Sequence, residues 1–150
     1  MTKSVWSNPA RFGMAAVAIV LACTACRDFA AAPIAPELPS GAETLEAPAD
    51  YAAWWAATER CAGLSGDLSR ITWFAIPGRT SFMYQDGQYD GYWWKGVHWI
   101  LLAGDKVQNG MIVRHEMLHD LLGRGDHPAE WFQERCAGVV ECNEVCRGDE

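Results

Sequence analysis

The chain has little positive charge and no stretch in which that charge is concentrated. Its 150 residues hold 12 lysines and arginines against 19 aspartates and glutamates, which gives a formal net charge of −7. Proteins that bind nucleic acids need clustered cations to contact the phosphates. Because the cations here are scattered along the chain, we expect no nucleic-acid partner.

The sequence also lacks a long apolar run, an internal repeat and a regular alternation of strands with helices. Its longest run of apolar and small residues, 12–22, is shorter than the roughly 20 residues that a membrane-spanning helix needs. Without strand–helix alternation, a parallel sheet covered by helices on both faces is excluded. A chain of this length has room for one folded domain.

The N-terminal residues 1–26 are typical of an export signal. Lys3 and Arg11 are the only charged residues of this segment, and the apolar run follows them. The residues Val20-Leu21-Ala22-Cys23 resemble the lipobox of bacterial lipoproteins, which implies that Cys23 is lipidated after cleavage. Cys26 is the alternative lipidation site. We therefore expect an exported protein, anchored by lipid to a membrane of the bacterial cell envelope.

The next segment, 27–49, has the composition of a tether. It holds four of the seven prolines, with alanine, glutamate and serine between them. Such a segment buries too little apolar surface to become ordered by itself. The sequence therefore predicts three parts: a signal at 1–26, a linker at 27–49 and a folded domain at 50–150.

Four cysteines in the predicted domain indicate disulfide bonds, because exported thiols reside in an oxidising compartment. Four cysteines allow three pairings, and the sequence alone does not select one. The alternative is a metal site formed by the three C-terminal cysteines. The four residues are Cys61, Cys136, Cys142 and Cys146.

The local patterns predict an α+β domain with a small mixed or antiparallel sheet. Apolar and β-branched residues predict four strands, at 70–77, 81–84, 92–95 and 97–102, with a hairpin about Gly96. Helices are predicted at 51–61, capped by Asp50 and ended by Gly63, at 108–122, ended by Gly123, and at 129–135. Three tryptophans within the strands are predicted to belong to the core, namely Trp93, Trp94 and Trp99.

The second predicted helix carries the sequence His115-Glu116-Met117-Leu118-His119, an H-E-x-x-H motif. Residues four apart project from the same face of a helix, so the two imidazoles can bind one zinc ion from one side. Glu116 lies beside them and can act on a water molecule at that metal. The motif therefore predicts a catalytic zinc site.

Zinc needs a third protein ligand, and the residues after the motif supply several candidates. His127 is the first choice and Asp126 the second. Glu130 and Glu134 are the third. Asp120 follows His119 and is able to orient a ligand as a hydrogen-bond acceptor.

The run from His115 to Pro128 resembles the active-site helix of the zincin metallopeptidases, especially the metzincin pattern H-E-x-x-H-x-x-G-x-x-H. Gly123 and His127 match the glycine and the third histidine, although they lie four and eight residues after His119 rather than three and six. The resemblance implies a zincin-like domain with three histidine ligands, Glu116 as the general base and a peptide or protein substrate.

The strand before the motif helix is where such enzymes align the substrate backbone. Three nearby side chains, Tyr84, Tyr92 and His98, are candidates for stabilising negative charge on the substrate. For His98 a structural role is favoured over a functional one, because the residue falls in a predicted strand of bulky apolar residues. The alternative function is a non-catalytic envelope lipoprotein that binds zinc or is held by disulfides and acts as a binding module.

Overall fold

The computed structural model describes residues 35–85 and 87–142. The predicted export signal, the lipidation candidates Cys23 and Cys26, and the predicted disulfide residue Cys146 lie outside these residues. Within this part of the chain, no helix has the length and apolarity required to cross a membrane.

The described chain forms three helices and six strands, which confirms the α+β class. The helices are α1 (Asp50–Ala62), α2 (Gly110–Leu122) and α3, a π-helix (Glu130–Arg135). The strands are β1 (Glu43–Thr44), β2 (Thr72–Ile76), β3 (Phe82–Tyr84), β4 (Gly87–Tyr89), β5 (Gly91–Trp94) and β6 (Trp99–Ala103). Short 3-10 turns lie at Leu68–Arg70 and Gly104–Lys106.

The ends of the two long helices follow from local chemistry. Gly63 and Gly123 end α1 and α2 in the left-handed conformation, as predicted. The side chain of Asn109 caps α2 by accepting hydrogen bonds from the first backbone amides of that helix. The predicted cap of α1 is wrong, because Ala49 occupies the cap position. Asp50 lies in the first turn, where its negative charge interacts favourably with the helix dipole.

Four strands form a mixed sheet in the order β1-β2-β6-β5. Strands β2 and β6 are parallel, whereas β1 with β2 and β5 with β6 are antiparallel. The predicted hairpin about Gly96 joins β5 to β6. His98 lies in this turn with φ of 54° and not within a strand, which corrects its predicted position. Strands β3 and β4 form a separate two-stranded hairpin.

The folded domain begins before residue 50. Glu43 and Thr44 pair with β2, and the Leu45 amide donates to the Trp73 carbonyl at 2.8 Å. Leu45 also packs against the core. The predicted linker 27–49 therefore extends too far at its C-terminal end. Residues 43–45 form hydrogen bonds with β2, and amino-acid composition does not predict such pairing between strands.

Both faces of the sheet are covered. Alternate residues of a strand point to opposite faces, so Trp93 packs towards the helices and its neighbour Trp94 packs towards the β3–β4 hairpin. Both side chains are buried, as predicted for core tryptophans, and Trp99 is half-buried against Phe74. The helical side also contains Tyr51, Trp55, Trp73, Ile100, Leu102, Val113 and Met117.

A disulfide joins Cys61, near the end of α1, to Cys136, which follows α3. It confirms the prediction of disulfides and closes 75 residues, which stabilises the fold by about 4 kcal/mol in the chain-entropy model. Cys142 is disulfide-bonded as well. The alternative metal site at the C-terminal cysteines is wrong, because Cys136 has no free thiolate.

Candidate metal centre

Helix α2 presents the histidines and the glutamate of the motif towards the interior of the domain. His119 and Glu116 are each 5% exposed, and His115 is half-buried beside them. The helix is held in place by its asparagine cap and by the packing of Val113, Met117 and Leu118 in the core. His115, Glu116 and His119 therefore project from a helix that is fixed by its cap and by its packing in the core.

The three predicted histidine ligands converge on one point. The Nε2 atom of His115 lies 3.1 Å from Nε2 of His119 and 3.1 Å from Nε2 of His127. Nitrogens that bind one tetrahedral zinc ion at 2.0–2.1 Å lie about 3.3 Å apart. Among the described residues, this trio is the group of side chains whose spacing suits a metal ion.

Backbone carbonyls orient two of these rings from behind. The Nδ1 atom of His115 lies 2.6 Å from the Glu141 carbonyl oxygen, and Nδ1 of His119 lies 2.8 Å from the Arg124 carbonyl oxygen. A carbonyl only accepts, so each Nδ1 carries the proton and each neutral ring directs a bare Nε2 lone pair inward. Two lone pairs facing each other across 3.1 Å repel unless a cation lies between them, so the geometry fits a bound metal ion.

Burial keeps these rings in the form that binds metal. Desolvation lowers the pKa of His115 to about 4 and the pKa of His119 to about 3. Both imidazoles are therefore neutral at pH 7, and metal binding there does not require a proton to be displaced from them.

Phe132 forms an apolar base under the three rings. Its ring centroid lies 4.9 Å from the centroids of His115, His119 and His127, and its side chain is fully buried. It excludes water from one side of the site. The sequence contained no signal for this contact, because Phe132 lies on α3, after the loop that carries His127.

The other candidates for the third ligand lie elsewhere. Asp126 is exposed and forms an ion pair with Arg124, whose hydrogen bond lowers the pKa of Asp126 below its usual range. Glu130 lies 3.5 Å from Arg135, and Glu134 is exposed on α3. Of the four candidates, His127 is the residue that the fold brings to the histidine pair.

Asp120 accepts no hydrogen bond from His115, His119 or His127, although the sequence makes it a candidate acceptor for a metal ligand. Its Oδ1 atom accepts hydrogen bonds from Trp93 Nε1 at 2.8 Å and from His98 Nδ1 at 2.7 Å. Carbonyl oxygens take the acceptor role instead, and no local sequence pattern points to them. His98 has the structural partner that its predicted role requires.

Glu116 lies in a pocket shaped by a glycine of β5. A β-carbon at Gly91 would lie 2.6 Å from Oε1 of Glu116, so glycine leaves room that no other residue leaves. Desolvation raises the pKa of Glu116 to about 8. A carboxylate with a raised pKa is a stronger base than an exposed one.

A cleft of about 380 Å³ opens over the histidines and Glu116. One wall is the segment 88–93 of β4 and β5, and the other wall is α2. Tyr92 lines this cleft, whereas Tyr84 and His98 are not among its described lining residues. Tyr84 instead accepts a hydrogen bond from the Trp94 indole. Tyr89 also lines the cleft, although no sequence pattern marks it as a site residue.

Strand β5 is the last strand of the described sheet, so one of its edges has no partner strand there. The amide of Ala103 donates to the Asp90 carbonyl at 2.8 Å, which sets the phase of the β5–β6 ladder. Bonded and non-bonded pairs alternate along antiparallel strands. The backbone groups of Gly91 and Trp93 therefore face away from β6, and both residues line the cleft.

Comparison of the chain with models of protein families, with curated proteins and with solved structures finds no match. The interpretation of the site therefore depends on its own geometry.

Proposed function

We propose that this protein is a zinc-dependent metallopeptidase. The observation that carries the proposal is the convergence of three imidazole nitrogens beside a buried glutamate at the base of an open cleft. The resemblance of the motif to the zincin metallopeptidases supports the same reaction. Peptides or proteins are the proposed substrates.

His115, His119 and His127 would hold the metal ion. Three neutral imidazoles and one open position are the ligand set that catalytic zinc favours. Zinc, when bound, polarises a carbonyl and lowers the pKa of a coordinated water molecule towards neutrality. The buried Phe132 and the two backbone carbonyls keep the three rings pointed at one centre.

Glu116 moves the protons of the reaction. Its carboxylate lines the cleft beside the histidines and takes a proton from the attacking water. It then donates this proton to the nitrogen of the leaving amine. Burial by itself raises its pKa to about 8. A cation held by the three histidines would lower this pKa again, because a nearby positive charge favours the carboxylate that accepts the proton.

The edge of β5 would align the substrate. The backbone groups of Gly91 and Trp93 can bond to an extended peptide, which then adds a strand to the sheet. Of the three side chains considered for stabilising negative charge, Tyr92 is the one that lines the cleft, and we assign that role to it.

The test uses wild type, Glu116→Gln and the control Glu130→Gln, an exposed carboxylate outside the cleft. We expect one zinc ion per chain in all three proteins. Wild type and the control should hydrolyse a mixture of peptides, and Glu116→Gln should lose this activity without losing zinc. A chelator should abolish hydrolysis, and added zinc should restore it.

The outcomes separate the two functions considered. Zinc binding without hydrolysis in wild type would indicate a non-catalytic binding module. A wild type that holds no zinc and hydrolyses no peptide would refute the metallopeptidase. Unchanged hydrolysis by Glu116→Gln would refute the role of that residue.

We also propose that the domain is exported and anchored through a lipid on Cys23. The disulfide Cys61–Cys136 supports an oxidising compartment. In a bacterial host, the full chain should fractionate with membranes, and Cys23→Ser should release it. Retention of Cys23→Ser, but not of Cys26→Ser, would assign the lipid to Cys26 instead.

A further inference from the structure

One buried carboxylate has no part in the proposed reaction. Asp120 follows His119 in α2 and is 2% exposed. Its Oδ1 atom accepts two hydrogen bonds, whereas its Oδ2 atom is buried with no hydrogen-bond partner among the described residues. Arg70 approaches Oδ2 only to 3.9 Å, from the surface. Burying a carboxylate with one oxygen unpaired costs free energy of folding.

The carboxylate fixes an indole that lies against a proposed metal ligand. Trp93 Nε1 donates to Asp120 at 2.8 Å, and the Trp93 ring is stacked on the His119 ring with a centroid distance of 6.1 Å and an interplanar angle of 14°. The Arg124 carbonyl holds Nδ1 of the same imidazole. The Trp93 ring therefore limits tilting of the His119 ring, and the Arg124 carbonyl limits its rotation about the side-chain bonds.

The same carboxylate ties a turn of the sheet to the helix. His98 lies in the β5–β6 turn and has a positive φ of 54°, a backbone conformation that residues other than glycine rarely adopt. Its Nδ1 atom lies 2.7 Å from Asp120 Oδ1. This contact holds the end of β5 against α2, the two elements that form the walls of the cleft.

We propose that Asp120 is a positioning residue of the metal centre, acting on His119 through Trp93. This inference rests on the proposed function, since it requires that the histidines bind a metal ion. Outer partners of metal ligands typically contribute 10–100-fold to metal affinity.

The experiment measures metal affinity rather than hydrolysis. Wild type, Asp120→Asn, Trp93→Phe and the double variant are titrated with Zn²⁺ against a chromophoric chelator, and the visible spectrum of the Co²⁺ form is recorded. Asp120→Asn should weaken Zn²⁺ binding by about 10–100-fold and shift the Co²⁺ bands. The double variant should lose less than the product of the single losses, because both residues act along one path.

Glu134→Gln is the control for the loss of a charge. It removes an exposed carboxylate from α3, the helix that carries Phe132, and should bind Zn²⁺ as wild type does. Thermal unfolding in chelator tests whether each variant folds. If Asp120→Asn does not fold, a folded Trp93→Phe with a changed Co²⁺ spectrum and weakened Zn²⁺ binding still supports the role.

Two results overturn the inference and are distinguishable. If wild type binds Zn²⁺ and the folded variants match it in affinity and spectrum, Asp120 has no positioning role, and the proposed function stands. If wild type binds neither Zn²⁺ nor Co²⁺, the metal centre itself fails, and the role of Asp120 falls with it.

Discussion

Gly91 of β5 lies against the carboxylate of Glu116 on α2, and a β-carbon at this glycine would be 2.6 Å from Oε1 and 2.8 Å from Cγ of the glutamate. The sheet edge and the motif helix therefore meet at the group to which we assign the proton transfers. The position of that group depends on the absence of a side chain in the neighbouring strand.

Gly91→Ala should lower kcat by about 10–100-fold while zinc remains bound, because the added methyl displaces Glu116 from its pocket and not the histidines. The measurements are steady-state hydrolysis and the zinc content of the purified variant. Gly125→Ala is the matched control: Gly125 also lines the cleft, but a β-carbon there contacts nothing within 4 Å. Equal rates for the two variants would contradict the assigned contact.

His127→Ala should weaken zinc binding by more than about 100-fold, because it removes one of three ligands, an effect larger than that of an outer partner. Asp126→Asn should leave the affinity unchanged, since Asp126 is exposed and paired with Arg124. Zinc competition titrations compare the two. A larger loss in Asp126→Asn than in His127→Ala would reverse our choice of the third ligand.

Replacing both Cys61 and Cys136 by serine should destabilise the domain by about 2–5 kcal/mol. It should also weaken zinc binding, because Cys136 anchors the segment whose Glu141 carbonyl holds His115 at 2.6 Å. Urea unfolding and zinc titration measure the two effects. Unchanged zinc affinity in the folded variant would show that this segment keeps its place without the disulfide.

The zinc-free protein should lose stability as pH rises from 6.5 to 8. The Glu116 carboxyl has a pKa of about 8 in the folded chain against an ordinary value of 4.5, so between these values the folded chain holds a proton that the unfolded chain has lost. The free energy of unfolding then falls by up to about 1.4 kcal/mol per pH unit. Urea unfolding in chelator measures this slope.

Glu116→Gln is the control for this prediction, because it should remove the contribution of that carboxyl to the slope. The window begins at pH 6.5 because the lowered pKa values of His115 and His119 act in the opposite direction below it. There, the unfolded chain takes up protons that the folded chain does not, so stability falls with falling pH. Parallel slopes for wild type and Glu116→Gln above pH 6.5 would show that Glu116 is not buried as described.

The parts of the site that depend on local spacing could be predicted from the sequence. His115 and His119 are four residues apart on a helix, so they share a face whatever surrounds the helix. The helix ends at Gly63 and Gly123 and the hairpin at Gly96 are likewise local. The same holds for the α+β class, which follows from the order of the elements.

Contacts between distant parts of the chain were decided only by the tertiary structure. The Glu141 carbonyl behind His115, the base formed by Phe132 and the partners of Asp120 all come from segments whose positions depend on packing. Strand β1 has no sequence signal for the same reason, since a neighbouring strand supplies its hydrogen bonds. Periodicity within one helix or strand specifies which of its residues share a face. The residues that this face contacts belong to another helix or strand, and their position depends on how the whole core packs.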